Sequence, residues 1–209
     1  PILDFIGTGR PFLGICVGYQ LLFDESEESP GVAGFGFFRG KVKKFSTPGL
    51  KVPQIGWNAL ESPHDPLFDA APLSIAYYAN SFVCRPVDSS SVIAWSVHEG
   101  DRFPAAVRVG AAVGVQFHPE KSSTAGVRWL HAILDEARQI AHGEIAAGFN
   151  PESTPLAPRI KEAEDRYAGI GSIAAILVAL GVCGNMLLRK RDRQFRARTA
   201  VEKWMNGLL

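Results

Sequence analysis

Gly14-Ile15-Cys16-Val17-Gly18 sets a thiol between two glycines, directly after the apolar run Pro11 to Ile15. A sharp turn from a buried strand into a helix would hold its middle residue in a strained backbone conformation with the side chain projecting. Glycines two places to either side leave room for strand and helix to approach closely. A cysteine there is favoured as the thiolate by the unsatisfied N–H groups of the helix start, and the thiolate is the nucleophile. The Val17 N–H would point to where an acyl oxyanion develops. Taken alone, the pentapeptide is equally compatible with a buried structural cysteine.

A thiolate nucleophile needs an imidazole partner, and the chain has five histidines. His118 is the best placed, at the C-terminal end of the β-like run Val113 to Phe117, the kind of edge where α/β sites assemble. In an extended His118-Pro119-Glu120 segment, residues i and i+2 face the same way, so Glu120 can orient the ring and stabilise its charged form. By itself this tripeptide also reads as an ordinary loop at a strand end. His64, His98, His131 and His142 have no comparable context. None of this chemistry calls for a metal or a cofactor, and Cys16, Cys84 and Cys183 are not spaced as metal ligands or as a disulfide framework; they read as reduced thiols of a cytoplasmic protein.

The elements that must position these groups are those of an α/β domain. Pro11 to Ile15 reads as a buried parallel strand, and a helix is expected from Val17 to Glu28, stopped by Pro30 and Gly31. Acids at a helix C-terminus oppose the macrodipole, so Glu25, Glu27 and Glu28 need another reason to be there. Short β-like runs follow at Val42 to Phe45, Ile75 to Cys84, Val92 to Val97, Ala105 to Val109 and Val113 to His118. Ser122 and Ser123 can cap a closing amphipathic helix in which Val127, Leu130, Ile133, Leu134, Ala137 and Ile140 recur at helical spacing, ending near His142. With 209 residues, 46% of them apolar and 21% charged, the chain can fill a sizeable core, which excludes a coiled coil and a disordered polypeptide. Its net charge of +1 hides a split: residues 189–209 hold seven Lys and Arg against Asp192 and Glu202, leaving a net −4 on the rest. That balance argues against a nucleic-acid surface on the main body.

GICVGYQLLF at 14–23 together with GVQFHPEKSS at 114–123 strongly resembles the class I, triad-type glutamine amidotransferases. Within them, VPQIGWNAL at 52–60 and YYANSFV at 77–83 are similar to the glutaminase subunit of imidazole glycerol phosphate synthase. The resemblance covers about residues 1–137 and implies a partial flavodoxin-like domain, its mixed sheet and helices forming the C-terminal two thirds of the family's glutaminase fold. It implies Cys16 as nucleophile, His118 as general acid and base, and Glu120 as the carboxylate that orients it. Gln20 and Glu28 match positions that hold the glutamine substrate, and Ser81 and Phe82 match backbone contacts to it. Trp57, Asn58 and Lys121 match residues near the interface with a (β/α)₈ cyclase that receives the ammonia in histidine biosynthesis. Core packing is the alternative for Trp57, and a solvated face the alternative for Gln20 and Glu28.

The sequence departs from the family in three places. The family's opening strand, first helices and PGVG-type loop, which gives a second oxyanion N–H, have no counterpart ahead of residue 1, and losing one such donor costs about 10² to 10³ in rate. Little glutaminase activity is therefore expected of the chain alone. Asn80 stands where the family usually has a histidine. From about Gly143 onward the family supplies nothing: 143–167 reads as a linker, 168–188 as an uncharged stretch long enough to span a bilayer, and 189–209 as a basic tail. A core helix or a frame-shifted extension are the alternatives for 168–188. The rival functional readings are a non-catalytic, membrane-attached remnant or interaction protein, and the glutaminase of another amidotransferase.

Overall fold

The computed structural model describes residues 2–143. They form helix α1 (Ile2–Gly7), strand β1 (Phe12–Ile15), the single turn of helix α2 (Val17–Gln20), β2 (Glu25–Ser26), β3 (Gly40–Lys44), β4 (Gln54–Ala59), α3 (Pro66–Ala70), β5 (Ile75–Asn80), β6 (Phe82–Pro86), β7 (Val92–His98), β8 (Asp101–Val109), β9 (Ala112–Val115) and α4 (Ser123–Ala141). The main sheet has the order β1-β9-β8-β7; β1 and β9 run parallel, and the other two pairings are antiparallel. Smaller sheets are built from β2-β3-β6 and from the antiparallel pair β4-β5. The architecture is α/β with a mixed sheet, and among the described residues its parallel part is limited to β1 with β9 and β2 with β3.

β9 explains how the main sheet is buried on both sides. Val113, Val115 and Phe117 pack into one core with Phe68, Tyr78, Phe103 and Trp129, while Ala112 belongs to a second core with Tyr19, Phe23, Phe38, Val42, Cys84 and Val107. Successive side chains of a strand point to opposite faces, so a strand with a core on each side must read as a continuous apolar run. Each fully buried aromatic of this kind contributes about 1.5–3 kcal/mol. Arg108 on β8 ties the two helices on the Trp129 side together, donating to Asp65 at the start of α3 (3.0 Å) and to Glu136 on α4 (2.6 Å).

Several expectations change. The helix after Cys16 stops at Gln20 instead of running to Glu28. The segment after it takes the carbonyls a longer helix would need: Phe35 N–H donates to Leu21 O, Phe38 N–H to Leu22 O and Gly36 N–H to Phe23 O. Glu25 lies in β2 and pairs with Lys41, and Glu28 is exposed in the following turn, so none of these acids opposes a helix dipole. The run Ile75 to Cys84 is two strands that break at Ser81 and enter different sheets. On α4 the buried residues are Gly126 and Trp129, whereas Val127 and Leu134 face outward. No helix among the described residues is long and apolar enough to cross a membrane. The stretch 168–188, the linker and the basic tail lie outside those residues.

Candidate active site

Cys16 follows the last residue of β1, with φ 52° and ψ −109°. A non-glycine residue in that region costs about 1–3 kcal/mol, which the surroundings must hold in place. They do so through the backbone: Cys16 N–H donates to Val115 O (2.8 Å) on the neighbouring strand, and Cys16 O accepts from Gln20 N–H (3.0 Å). Gly14 makes the turn sterically possible, because a Cβ there would lie 2.9 Å from Gly18 O and 3.0 Å from Tyr19 Cα. Val17 opens α2, so its N–H has no carbonyl one turn earlier to bind.

The parallel register Ile15↔Val115 brings the chain beyond β9 out at the same sheet edge as Cys16, on a strand about 4.8 Å away. Gln116 comes level with Cys16, and His118 lies two residues further along. The imidazole is buried, and its Nδ1 sits 2.8 Å from Glu120 Oε1. The pair forms on a 3₁₀ turn over Pro119–Lys121, not on the extended segment expected from the sequence. His118 N–H donates to Tyr77 O (2.8 Å), which fixes the turn to β5.

Ser122 precedes α4 but makes no side-chain capping bond. Its hydroxyl donates to His118 O (2.7 Å) and accepts from Tyr77 N–H (2.9 Å), so it pins the histidine turn to β5. Gly126 admits the turn from below: a Cβ there would lie 2.1 Å from Pro119 O.

The remaining residues singled out by the sequence are placed in different surroundings. Gln20 is buried and its Nε2 donates to Phe82 O (3.0 Å) and to Gln116 Oε1 (3.0 Å). Ser81 and Phe82 lie at the β5–β6 break, where Phe82 O also accepts from Asn80 Nδ2 (3.1 Å). Glu28 is exposed beyond β2, its N–H bonded to Ser26 Oγ (3.1 Å). Trp57 is 55% exposed, so core packing is not its role; it meets the Tyr77 ring edge-on at 6.0 Å, and Lys121 Nζ stands 5.8 Å from the centre of that ring. Asn58 turns inward and donates to Val97 O (2.6 Å), joining β4 to β7.

Reasoning from sequence missed Gln116 and the hydroxyl of Ser122. Strand alternation could have found the first, since residues 116 and 118 share a face. Ser122 gave no such signal, because its partner Tyr77 is distant in the chain.

Two cysteines on this side of the sheet behave differently. Cys84 on β6 is fully buried, and burial pushes its thiol well up, the neighbouring Arg85 acting the other way. Cys16 is only half buried. Among the described residues, no group of three or more His, Cys, Asp or Glu could hold a metal.

A family model for class-I glutamine amidotransferases matches residues 2–136. Imidazole glycerol phosphate synthase subunit HisH of Gloeothece citriformis is 40% identical over 142 residues, covering 66% of this chain and 67% of that protein. The protein of the same name from Deinococcus radiodurans is 47% identical over 133 residues, covering 62% of this chain and 61% of its own length. A solved glutamine amidotransferase aligns over 66% of each chain with 21% identity and a TM-score of 0.46. The chain thus spans about three fifths to two thirds of the length of the curated relatives it matches. With its matched segment holding the cysteine turn and the histidine–glutamate pair at one sheet edge, the chain belongs to the class-I glutamine amidotransferase family.

Proposed function

We propose that this chain is a cytoplasmic glutaminase that hydrolyses the side-chain amide of glutamine and passes ammonia to a synthase subunit. The single observation that carries the reading is the parallel register of β1 and β9, which ends the Cys16 turn and the His118–Glu120 pair at one edge. Cys16 Sγ attacks the amide carbon, and the oxyanion that develops takes the Val17 N–H. His118, held through Nδ1 by Glu120, protonates the departing nitrogen as the C–N bond breaks, leaving a γ-glutamyl thioester. A water deprotonated by His118 then attacks the thioester carbon. The C–S bond breaks, and glutamate leaves with the thiolate restored. Gln20, Glu28 and the backbone of Ser81 and Phe82 hold the substrate in this reading.

The partner is a (β/α)₈ cyclase forming imidazole glycerol phosphate, and its docking face is the outer side of β4-β5. There Ile55 is 63%, Trp57 55% and Ile75 52% exposed, beside Tyr77 and Lys121. Large apolar side chains gathered on an outward sheet face, with an aromatic at the centre, suit a protein interface. The HisH names of the relatives support the choice of synthase.

The test is glutamate release by the chain mixed with such a cyclase, compared with Cys16→Ala. Release at least 10³-fold above the variant supports the reading. Equal release from both chains removes Cys16 as nucleophile. Release that the cyclase does not stimulate, but another synthase does, leaves the glutaminase and replaces the partner.

A further inference from the structure

Gln116 lies outside the triad and outside the groups assigned to substrate, yet it is 0% exposed and reaches two of them. Its Oε1 accepts from Gln20 Nε2 at 3.0 Å, and its Nε2 donates to Cys16 Sγ at 3.7 Å. Gln20 is anchored in turn on Phe82 O at 3.0 Å. A side-chain amide with its oxygen committed cannot turn over without losing that bond, so the end facing the sulfur is fixed as a donor. A buried donor favours the ionised form of its acceptor, here thiolate over thiol, and restricts where the sulfur can point.

We infer that Gln116 is a positioning residue, which holds Cys16 Sγ in its attacking orientation through Nε2–H and takes its own orientation from Gln20. The inference rests on the reading of Cys16 as the nucleophile. Cys84 on β6 interacts electrostatically with Cys16, and Tyr19 on α2 with Cys84 in turn. Burial raises both Cys84 and Tyr19, which therefore stay protonated at neutral pH. Neither therefore places a charge beside the sulfur at neutral pH, where Gln116 Nε2 donates to it.

The test is the rate of Cys16 alkylation by iodoacetamide against pH in the full chain, read by mass spectrometry on the Cys16 peptide. Gln116→Met removes the donor at nearly constant volume. Gln116→Glu keeps the shape and turns a carboxylate oxygen toward the sulfur. Expected at pH 7 are rates about threefold lower with Met and about tenfold lower with Glu, the midpoint of the profile rising in that order. A purely structural role would not sort the midpoint by charge. Gln20→Met releases the same amide from its far end and moves the midpoint upward as well, which keeps the test open should substitution at the fully buried position prevent folding. Folded variants whose midpoints coincide with the parent, or a Glu variant with a lower one, overturn the inference alone. A parent Cys16 no more reactive than a simple free thiol overturns it together with the glutaminase reading.

Discussion

The two turns that meet at the sheet edge differ in backbone strain and in how much they draw on side chains. The cysteine turn is strained, at φ 52°, and is kept in place by main-chain bonds to Val115 and Gln20. The histidine turn begins from an ordinary extended residue, φ −105°, and adds side chains to its main-chain bond with Tyr77 O: Ser122 from the α4 end and Glu120 on the ring. Each depends on a glycine that lets another stretch of backbone come close, Gly14 for the first and Gly126 for the second. In the proposed reading the thiol is aimed mainly by a strained backbone, whereas the imidazole is aimed mainly by the partners of its ring and carbonyl. Both fail through sterics at their glycine, and the second fails through lost polar partners as well.

The largest effect is expected at Gly126. A methyl group 2.1 Å from Pro119 O cannot be accommodated by a side-chain rotation, so Gly126→Ala should cost about 3 kcal/mol, seen as a lower chemical-denaturation midpoint. Gly14→Ala meets backbone at 2.9–3.0 Å and should cost less, about 1–2 kcal/mol, in the same measurement. A reversed order would mean that the cysteine turn is the more rigid of the two. Ser122→Ala removes one donor and one acceptor and should destabilise by about 1–2 kcal/mol while slowing glutamate release. Unchanged stability would show that water replaces the hydroxyl without cost.

A charge remote from both turns provides a control. Burial pushes the Asp101 carboxyl up, but the Ser46 N–H and the Arg85 guanidinium more than reverse that, and its folded pKa lies below the ordinary value. Its contribution is therefore complete above the ordinary aspartate range near pH 4 and is lost as pH falls through the depressed value. Asp101→Asn should flatten that acid-side loss in a stability-versus-pH series and leave Cys16 reactivity at pH 7 unchanged. The smallest effect on stability is expected at Trp57. With half its surface already in water, Trp57→Ala should change stability by under about 0.5 kcal/mol, while partner binding measured by calorimetry weakens by tenfold or more.

What the sequence disclosed follows the same division. β1 and β9 were legible as continuous apolar runs and α4 as a recurrence of apolar residues at helical spacing. The glycine-flanked cysteine and the His118–Glu120 pair were legible because both are local. The length of α2 was not, since segment 35–38 takes carbonyls that a propensity argument leaves to the helix. The break at Ser81 was hidden because both strands are apolar and only their partners differ. β4 gave a misleading pattern: Ile55 and Trp57 alternate as core residues would, yet they face outward. Ser122 acts through a partner far away in the chain, and no window of sequence displays it; Gln116 shares a strand face with His118, but its contacts with Cys16 and Gln20 are about a hundred residues distant.

Tyr77 divides its labour. Its N–H and C=O are both spent inward, on Ser122 and on His118, while its ring stands outward between Trp57 and Lys121. Main-chain groups are the same in every residue but proline, so any other replacement of the ring rewrites the outer surface and leaves both inward bonds available. Position 77 is therefore a place where evolution or an engineer can exchange one binding partner for another without disturbing the imidazole.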